Sequence, residues 1–125
     1  MVEGIGIDIV NISRMDNLSE AVIKRLFHPD EVAFALTLEA KRKSEYLSGR
    51  FAAKEALGKA LGTGMAGMRP SDIQIDSTPT GKPFIVLHGS AKTLVGNRTV
   101  LLSISHDSPV ASAVVLLQGV CDGTH

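Results

Sequence analysis

Residues 4–12 alternate as a half-buried strand does, with Ile5, Ile7 and Ile9 on one face and Gly4, Gly6, Asp8 and Val10 on the other. Ser13 follows as a candidate N-cap, with Asp16 three residues on in a near capping box. A helix is expected from there to about Leu26 or Phe27. Pro29 suits the first turn of a second helix, which has Asp30 and Glu31 near its positive end and runs to about Leu38. The longest helical signal covers residues 40–61, rich in Ala, Leu, Lys, Arg and Glu, and Gly62 is its expected C-cap. A glycine-rich loop then leads to strands at residues 72–75 and 84–87, joined through the turn at 79–83. Residues 90–96 form a short helix in this reading, and 99–105 and 110–117 form a hairpin joined by 106–109. The sum is an α+β fold: a single domain over residues 1–125, with a mainly antiparallel sheet packed against a long helix and residues 118–125 as a loose tail.

Composition narrows the functional classes. Thirteen Lys and Arg balance thirteen Asp and Glu among 125 residues, so binding nucleic acid through bulk charge is excluded. A hydrophobic fraction of 44% with 21% charged residues excludes an intrinsically disordered chain. The single cysteine, Cys121, makes no internal disulfide, and no Cys/His cluster has zinc spacing. The start, Met1-Val2-Glu3-Gly4, lacks the basic region and apolar run of a signal peptide, and no apolar stretch is long enough to span a membrane. A cytoplasmic protein with no membrane partner is expected. Charge is concentrated in the first half: residues 1–60 carry nine basic and nine acidic side chains, against four of each in 61–125.

The candidate chemistry lies where charge interrupts apolar patterns. On the 40–61 helix, Leu47, Phe51, Leu57 and Leu61 span an apolar arc, and Arg50 and Lys54 project into its middle. Glu55 lies on the rim, with Lys59 one turn later on the same face. Two readings stand side by side. In one, the cations snorkel from a packed face and Glu55 and Lys59 form a surface pair. In the other, the cations meet an anion, most simply a phosphate, while Glu55 holds a divalent cation. Asp8 is costly inside an apolar strand unless it is exposed, paired or metal-bound, and Gly4 and Gly6 beside it leave room for a ligand or a closely approaching helix. Asp8 and Glu55 together would supply two carboxylates to one Mg²⁺.

Other strings are weaker. Ser105, His106 and Asp107 are consecutive on a strand and point alternately to opposite faces, so they form no hydrolase triad. Gly62, Gly64 and Gly67 match GxGxxG but follow a helix instead of a strand, which removes the dinucleotide-fold reading and leaves a plain helix stop or a phosphate-approaching loop. The Lys41-Arg42-Lys43 run reads as a solvated face.

Four ordered motifs resemble one family. Gly6-Ile7-Asp8, Gly49-Arg50-Phe51-Ala52-Ala53-Lys54-Glu55-Ala56, Gly81-Lys82-Pro83 and Ser103-Ile104-Ser105-His106 look like those of the holo-[acyl-carrier-protein] synthases, the small bacterial branch of the 4′-phosphopantetheinyl transferases. The resemblance covers residues 3–118. It implies the family's fold and a Mg²⁺-dependent transfer of the 4′-phosphopantetheine arm from coenzyme A to a serine of apo-acyl carrier protein in fatty acid biosynthesis, releasing adenosine 3′,5′-bisphosphate. The family's metal-binding Asp and Glu fall on Asp8 and Glu55, and its Lys four residues further on falls on Lys59. Arg50, Lys54 and His106 are assigned to the coenzyme's phosphates, with Gly62, Gly64, Lys82, Pro83 and Ser105 beside it. Lys59 would neutralise or protonate the departing phosphate, and either Glu55 or a metal-activated water would take the serine proton.

The family's carrier-docking Arg falls on Arg14, with Lys24 and Arg25 as further candidates for docking an acidic carrier. A homotrimer with active sites between subunits is implied too. Departures from the family pattern are Phe51 where distant members carry Trp, His28 where a small hydroxyl residue is usual, and Arg69-Pro70 in a variable loop. Alternatives are a non-catalytic coenzyme A or nucleotide-binding module, and a transferase serving secondary-metabolite carriers.

Overall fold

The computed structural model describes residues 1–120. Its order is strand β1 (Val2–Asn11), a 3₁₀ turn (Ile12–Met15), helices α1 (Glu20–Leu26), α2 (Pro29–Ala35) and α3 (Ala40–Leu61), and a second 3₁₀ turn (Pro70–Asp72). Strands β2 (Ile73–Ser77) and β3 (Pro83–Leu87), helix α4 (Gly89–Val95), and strands β4 (Thr99–Asp107) and β5 (Val110–Gln118) follow. The strands form two antiparallel sheets instead of one: β1-β5-β4 and the β2-β3 hairpin. The α+β class and the hairpin of the last two strands agree with the sequence reading.

Helix α3 lies across β1 and β5 and organises the core. Leu47, Ala52, Ala53, Ala56 and Leu57 are fully buried beneath it, with Val115 and Leu117 opposite on β5. Burying each leucine stabilises the fold by about 1.5–3 kcal/mol. Gly6 explains how close the helix comes, because a Cβ there would run into the Ala56 carbonyl oxygen and lie 2.6 Å from the Ala60 nitrogen. The glycine face of β1 therefore admits a helix. Ile5, Ile7 and Ile9 lie on the other face, each 65% exposed. Helix α3 ends where expected, with Gly62 at φ 79° and its N–H donating to the Lys59 carbonyl.

Three local expectations are corrected. Ser13 caps no α-helix: residues 12–15 make a 3₁₀ turn whose Ile12 and Met15 are buried, and the helix starts only after Ser19, whose Oγ accepts the Val22 N–H at 3.2 Å. A serine nearer the helix supplied the cap, and burial of Ile12 and Met15 fixed the turn. Helix α2 ends three residues early, at Ala35, where the Thr37 and Leu38 N–H groups turn back to the Phe34 and Ala35 carbonyls. The expected tail begins too soon, since Gln118 belongs to β5 and the Gly119 N–H donates to the Met1 carbonyl at 2.9 Å. Cys121 and the last residues lie outside the described range. His28 takes the place of a capping hydroxyl: its Nδ1 accepts the Asp30 N–H at 3.1 Å, while Glu31 accepts the His28 N–H at 2.9 Å, closing a capping box.

Candidate functional site

The sheet register places the two groups of candidate residues. Asp8 pairs across to Ala113 and thence to Ile104, while Val10 pairs to Ala111 and thence to His106. Asp8 and His106 therefore share the helix-facing side of the sheet, on its two edge strands, about 12 Å apart diagonally across β5. Helix α3 runs between them and presents a different face to each edge, since Arg50 and Glu55 are about 140° apart around its axis.

On the β1 side, the Lys59 ammonium donates to Asp8 Oδ1 at 2.9 Å and to the Ile7 carbonyl at 3.0 Å. The expected partnership of Lys59 with Glu55 is thus replaced by one with Asp8. Glu55 is half-buried, and its carboxyl is pushed above the ordinary carboxylate range by burial and then by the Asp8 charge, with Lys59 and Arg14 pulling it back. Two carboxylates close enough to repel thus share one edge of the sheet, with Lys59 on Asp8 and Arg14 nearby. That donor set fits Mg²⁺, a hard cation that takes one or two carboxylates and completes its shell with water and phosphate oxygens. No cluster of three or more His, Cys, Asp or Glu that would cage a metal exists among the described residues. Arg14, exposed on the 3₁₀ turn, sets its guanidinium 5.7 Å over the Phe51 ring, one helical turn before Glu55. The Gly62–Gly64 loop continues from the Lys59 end of α3 and folds back, with the Gly64 N–H on the Gly58 carbonyl at 3.0 Å.

On the β4 side, His106 Nδ1 lies 3.3 Å from Glu45 Oε2. A cleft of about 280 Å³ opens there, lined by Arg42, Glu45, Tyr46, Arg50 and His106 among others. Arg50 spans from α3 to the hairpin, donating from Nη2 to Ser77 Oγ at 3.2 Å. Pro83 pairs opposite Ser77, which lines a neighbouring cleft on the far side of Arg50, and the exposed Lys82 donates its backbone N–H to Thr78 Oγ1 at 3.0 Å. Ser105 does not join it. It projects from the opposite face of β4, where Ser112 Oγ donates to its carbonyl at 3.5 Å.

Lys54 is a correction. Its ammonium is fully buried, 2.7 Å from Glu31 Oε1, and it also donates to the Pro70 and Ile73 carbonyls. Glu31 completes the network by accepting the Ile75 N–H at 3.0 Å. Burial lowers the Lys54 pKa, and Glu31 opposes that shift. A cation enclosed by one carboxylate and two carbonyls has no path to a ligand in solvent, so Lys54 ties α3 to α2 and β2 and binds no coenzyme phosphate. At the far end of α1, Lys24 is held by Glu20 at 3.1 Å as an exposed i,i+4 pair, and Arg25 is exposed.

Sequence reasoning missed Glu31 as the partner of Lys54, because the two are 23 positions apart and no local pattern joins them. It also passed over Arg42, Tyr46 and Glu45. The signal for two of these was present: Arg42, Tyr46 and Arg50 recur every four residues, which stacks them on one helix face.

Comparisons with known proteins give the family. The model of the 4′-phosphopantetheinyl transferase superfamily matches residues 4–113. The holo-[acyl-carrier-protein] synthase of Treponema denticola is 39% identical over 124 residues, covering 95% of this chain and 100% of that protein. The enzyme of the same name from Clostridium acetobutylicum is 40% identical, covering 94% of this chain and 98% of that one. Among solved structures, the Bacillus anthracis holo-(acyl-carrier-protein) synthase, in complex with CoA (3′,5′-ADP), superposes with a TM-score of 0.85 at 35% identity, covering 96% of this chain and 99% of that chain. A fold, a carboxylate pair beside a lysine and near-full-length identity all converge, and the chain belongs to the 4′-phosphopantetheinyl transferase superfamily, among its holo-[acyl-carrier-protein] synthases.

Proposed function

We propose that this protein transfers 4′-phosphopantetheine from coenzyme A to a serine of apo-acyl carrier protein, that Asp8 and Glu55 hold the Mg²⁺ this needs, and that it works as a cytoplasmic homotrimer. The observation that carries the metal assignment is the placing of Asp8 and Glu55 together at one edge of the sheet beside Lys59, where burial first and then the Asp8 charge raise the Glu55 carboxyl. When bound, Mg²⁺ supplies positive charge to the pyrophosphate and to the phosphate that departs.

The chain's own residues do the rest. The carrier serine Oγ attacks the pantetheine-bearing phosphorus, an O–P bond forms, and the pyrophosphate bridge breaks to release adenosine 3′,5′-bisphosphate. Glu55, the carboxylate on α3 at this edge of the sheet, accepts the serine proton. Lys59, more than half exposed and hinged on Asp8, offsets the charge on the departing phosphate. Arg50 and His106 bind the coenzyme's phosphates. Arg14, beside Phe51 and close enough to lower the Glu55 carboxyl, is the docking residue nearest the chemistry. Lys24 is already engaged with Glu20, which makes it a weaker docking candidate than Arg14 or Arg25.

Two features support an assembly of copies. The metal and phosphate residues flank α3 on opposite sides, so a site using both draws one group from each of two copies. The outer face of the β1-β5-β4 sheet carries Ile5, Ile7, Ile9 and Leu101 exposed, an apolar surface of the kind that marks an interface. Among the described residues no helix is long and apolar enough to cross a membrane. The test is substitution of Asp8 or Glu55 by Ala: each should nearly abolish turnover, with circular dichroism unchanged, and full activity in either variant would sink the metal assignment.

A further inference from the structure

Two clefts of about 280 Å³ each open on either side of a single wall made by Phe34, Tyr46 and Arg50. The Arg50 guanidinium lies 4.2 Å from the centroid of the Tyr46 ring, a face-on cation–π contact. Phe34 supports the ring from α2, with centroids 4.9 Å apart at a tilt of 49°. One edge of the guanidinium is fixed by Ser77 at 3.2 Å, and Nε is buried without a partner. Arg50 is thus held by its face and one edge, and it lines both clefts, where a ligand would meet its outer amines. An arginine otherwise loses rotamer freedom when a ligand orders it.

We propose that Tyr46 is a positioning residue for coenzyme A, its ring holding the Arg50 guanidinium in the orientation that receives a phosphate of the coenzyme. This rests on the reading of Arg50 as a phosphate-binding residue. The Arg50 charge lies over the ring face, and while burial raises the Tyr46 hydroxyl pKa, Arg50 opposes that shift by its charge and a side-chain hydrogen bond, so ring and hydroxyl both engage the guanidinium. A preordered guanidinium raises affinity without touching the transferred group, so the effect belongs in KM for coenzyme A and not in kcat.

The experiment is a kinetic double-mutant cycle with the full chain, coenzyme A and apo-acyl carrier protein, with binding of adenosine 3′,5′-bisphosphate measured in parallel by calorimetry. Tyr46→Phe, which keeps the ring and loses only the hydroxyl, should raise KM less than Tyr46→Leu does. Tyr46→Leu should raise KM for coenzyme A, and weaken bisphosphate binding, by about three- to tenfold with kcat unchanged. Tyr46→Met provides the same comparison if the Leu variant melts early. In an Arg50→Ala background, which itself raises KM, Tyr46→Leu should add nothing further. An equal effect of Tyr46→Leu with and without Arg50 would overturn the proposal, because the ring would then act by itself. So would an unchanged KM in Tyr46→Leu alongside a raised one in Arg50→Ala, which leaves the phosphate reading intact. An unchanged KM in Arg50→Ala removes that reading and this proposal together.

Discussion

Glu55 shows what a functional position costs a fold. Its carboxyl titrates above its unfolded value because burial and Asp8 both disfavour the charge. Between the ordinary carboxylate range and that raised value, the folded chain holds a proton that the unfolded chain has released, so Glu55 subtracts stability as pH rises through the window. Glu55→Gln removes this penalty. We expect its melting temperature at neutral pH to exceed that of the parent, while turnover falls at least about 100-fold. A variant that is both slower and less stable would contradict the assignment. The buried Lys54 makes the opposite case. Its place in the apolar arc was legible from helical spacing, but its destination was not, since Glu31 and the Pro70 and Ile73 carbonyls reach it only through tertiary folding. Lys54→Met leaves Glu31 charged and unpaired in the core, and should cost about 3–5 kcal/mol in urea unfolding. A variant of parental stability but raised KM would restore Lys54 to the coenzyme site.

At the scale of elements, the legible parts are those whose signals are local. Helix α3 carries its propensity along 22 residues and its stop in Gly62, and the sequence reading reproduces both ends. The segment after β1 was misread because Ser13 and Ser19 are equally good caps by composition, and only the burial of Ile12 and Met15 distinguishes them. Strand β1 falls between these cases. Its two faces were clear from alternation, yet whether the glycine face met a ligand or a helix depended on Ala56 and Ala60 of α3, about fifty residues away. Gly6→Ala tests that packing, since the new Cβ meets backbone atoms at Ala56 and Ala60 that no rotamer change relieves. The expected result is about 1–3 kcal/mol lost in chemical denaturation. Turnover should fall as well, because Asp8 lies two residues along the displaced strand.

For the whole molecule, the candidate site was legible as a set of residues but not as an arrangement. Asp8, Glu55 and Lys59 do meet around one edge of the sheet, whereas Arg50 and His106 gather at the other, and a linear motif gives no hint that a helix separates them. If the two halves are joined between copies, the apolar sheet face is the seam. Ile7→Glu, in the middle of that face, should convert a trimer into monomers by sedimentation velocity and lower turnover at least about tenfold, although Ile7 faces away from α3. A monomeric parent of full activity would rule out the shared site.

The reaction itself is tested most directly by weighing the carrier. The protein, coenzyme A, Mg²⁺ and an apo-acyl carrier protein are incubated together, and the carrier is examined by intact mass spectrometry with and without chelator. The carrier should gain the mass of one 4′-phosphopantetheinyl group, and the gain should vanish when the divalent cation is removed. A carrier of unchanged mass, in the presence of a protein that still binds coenzyme A, would contradict the transfer and leave only a binding module.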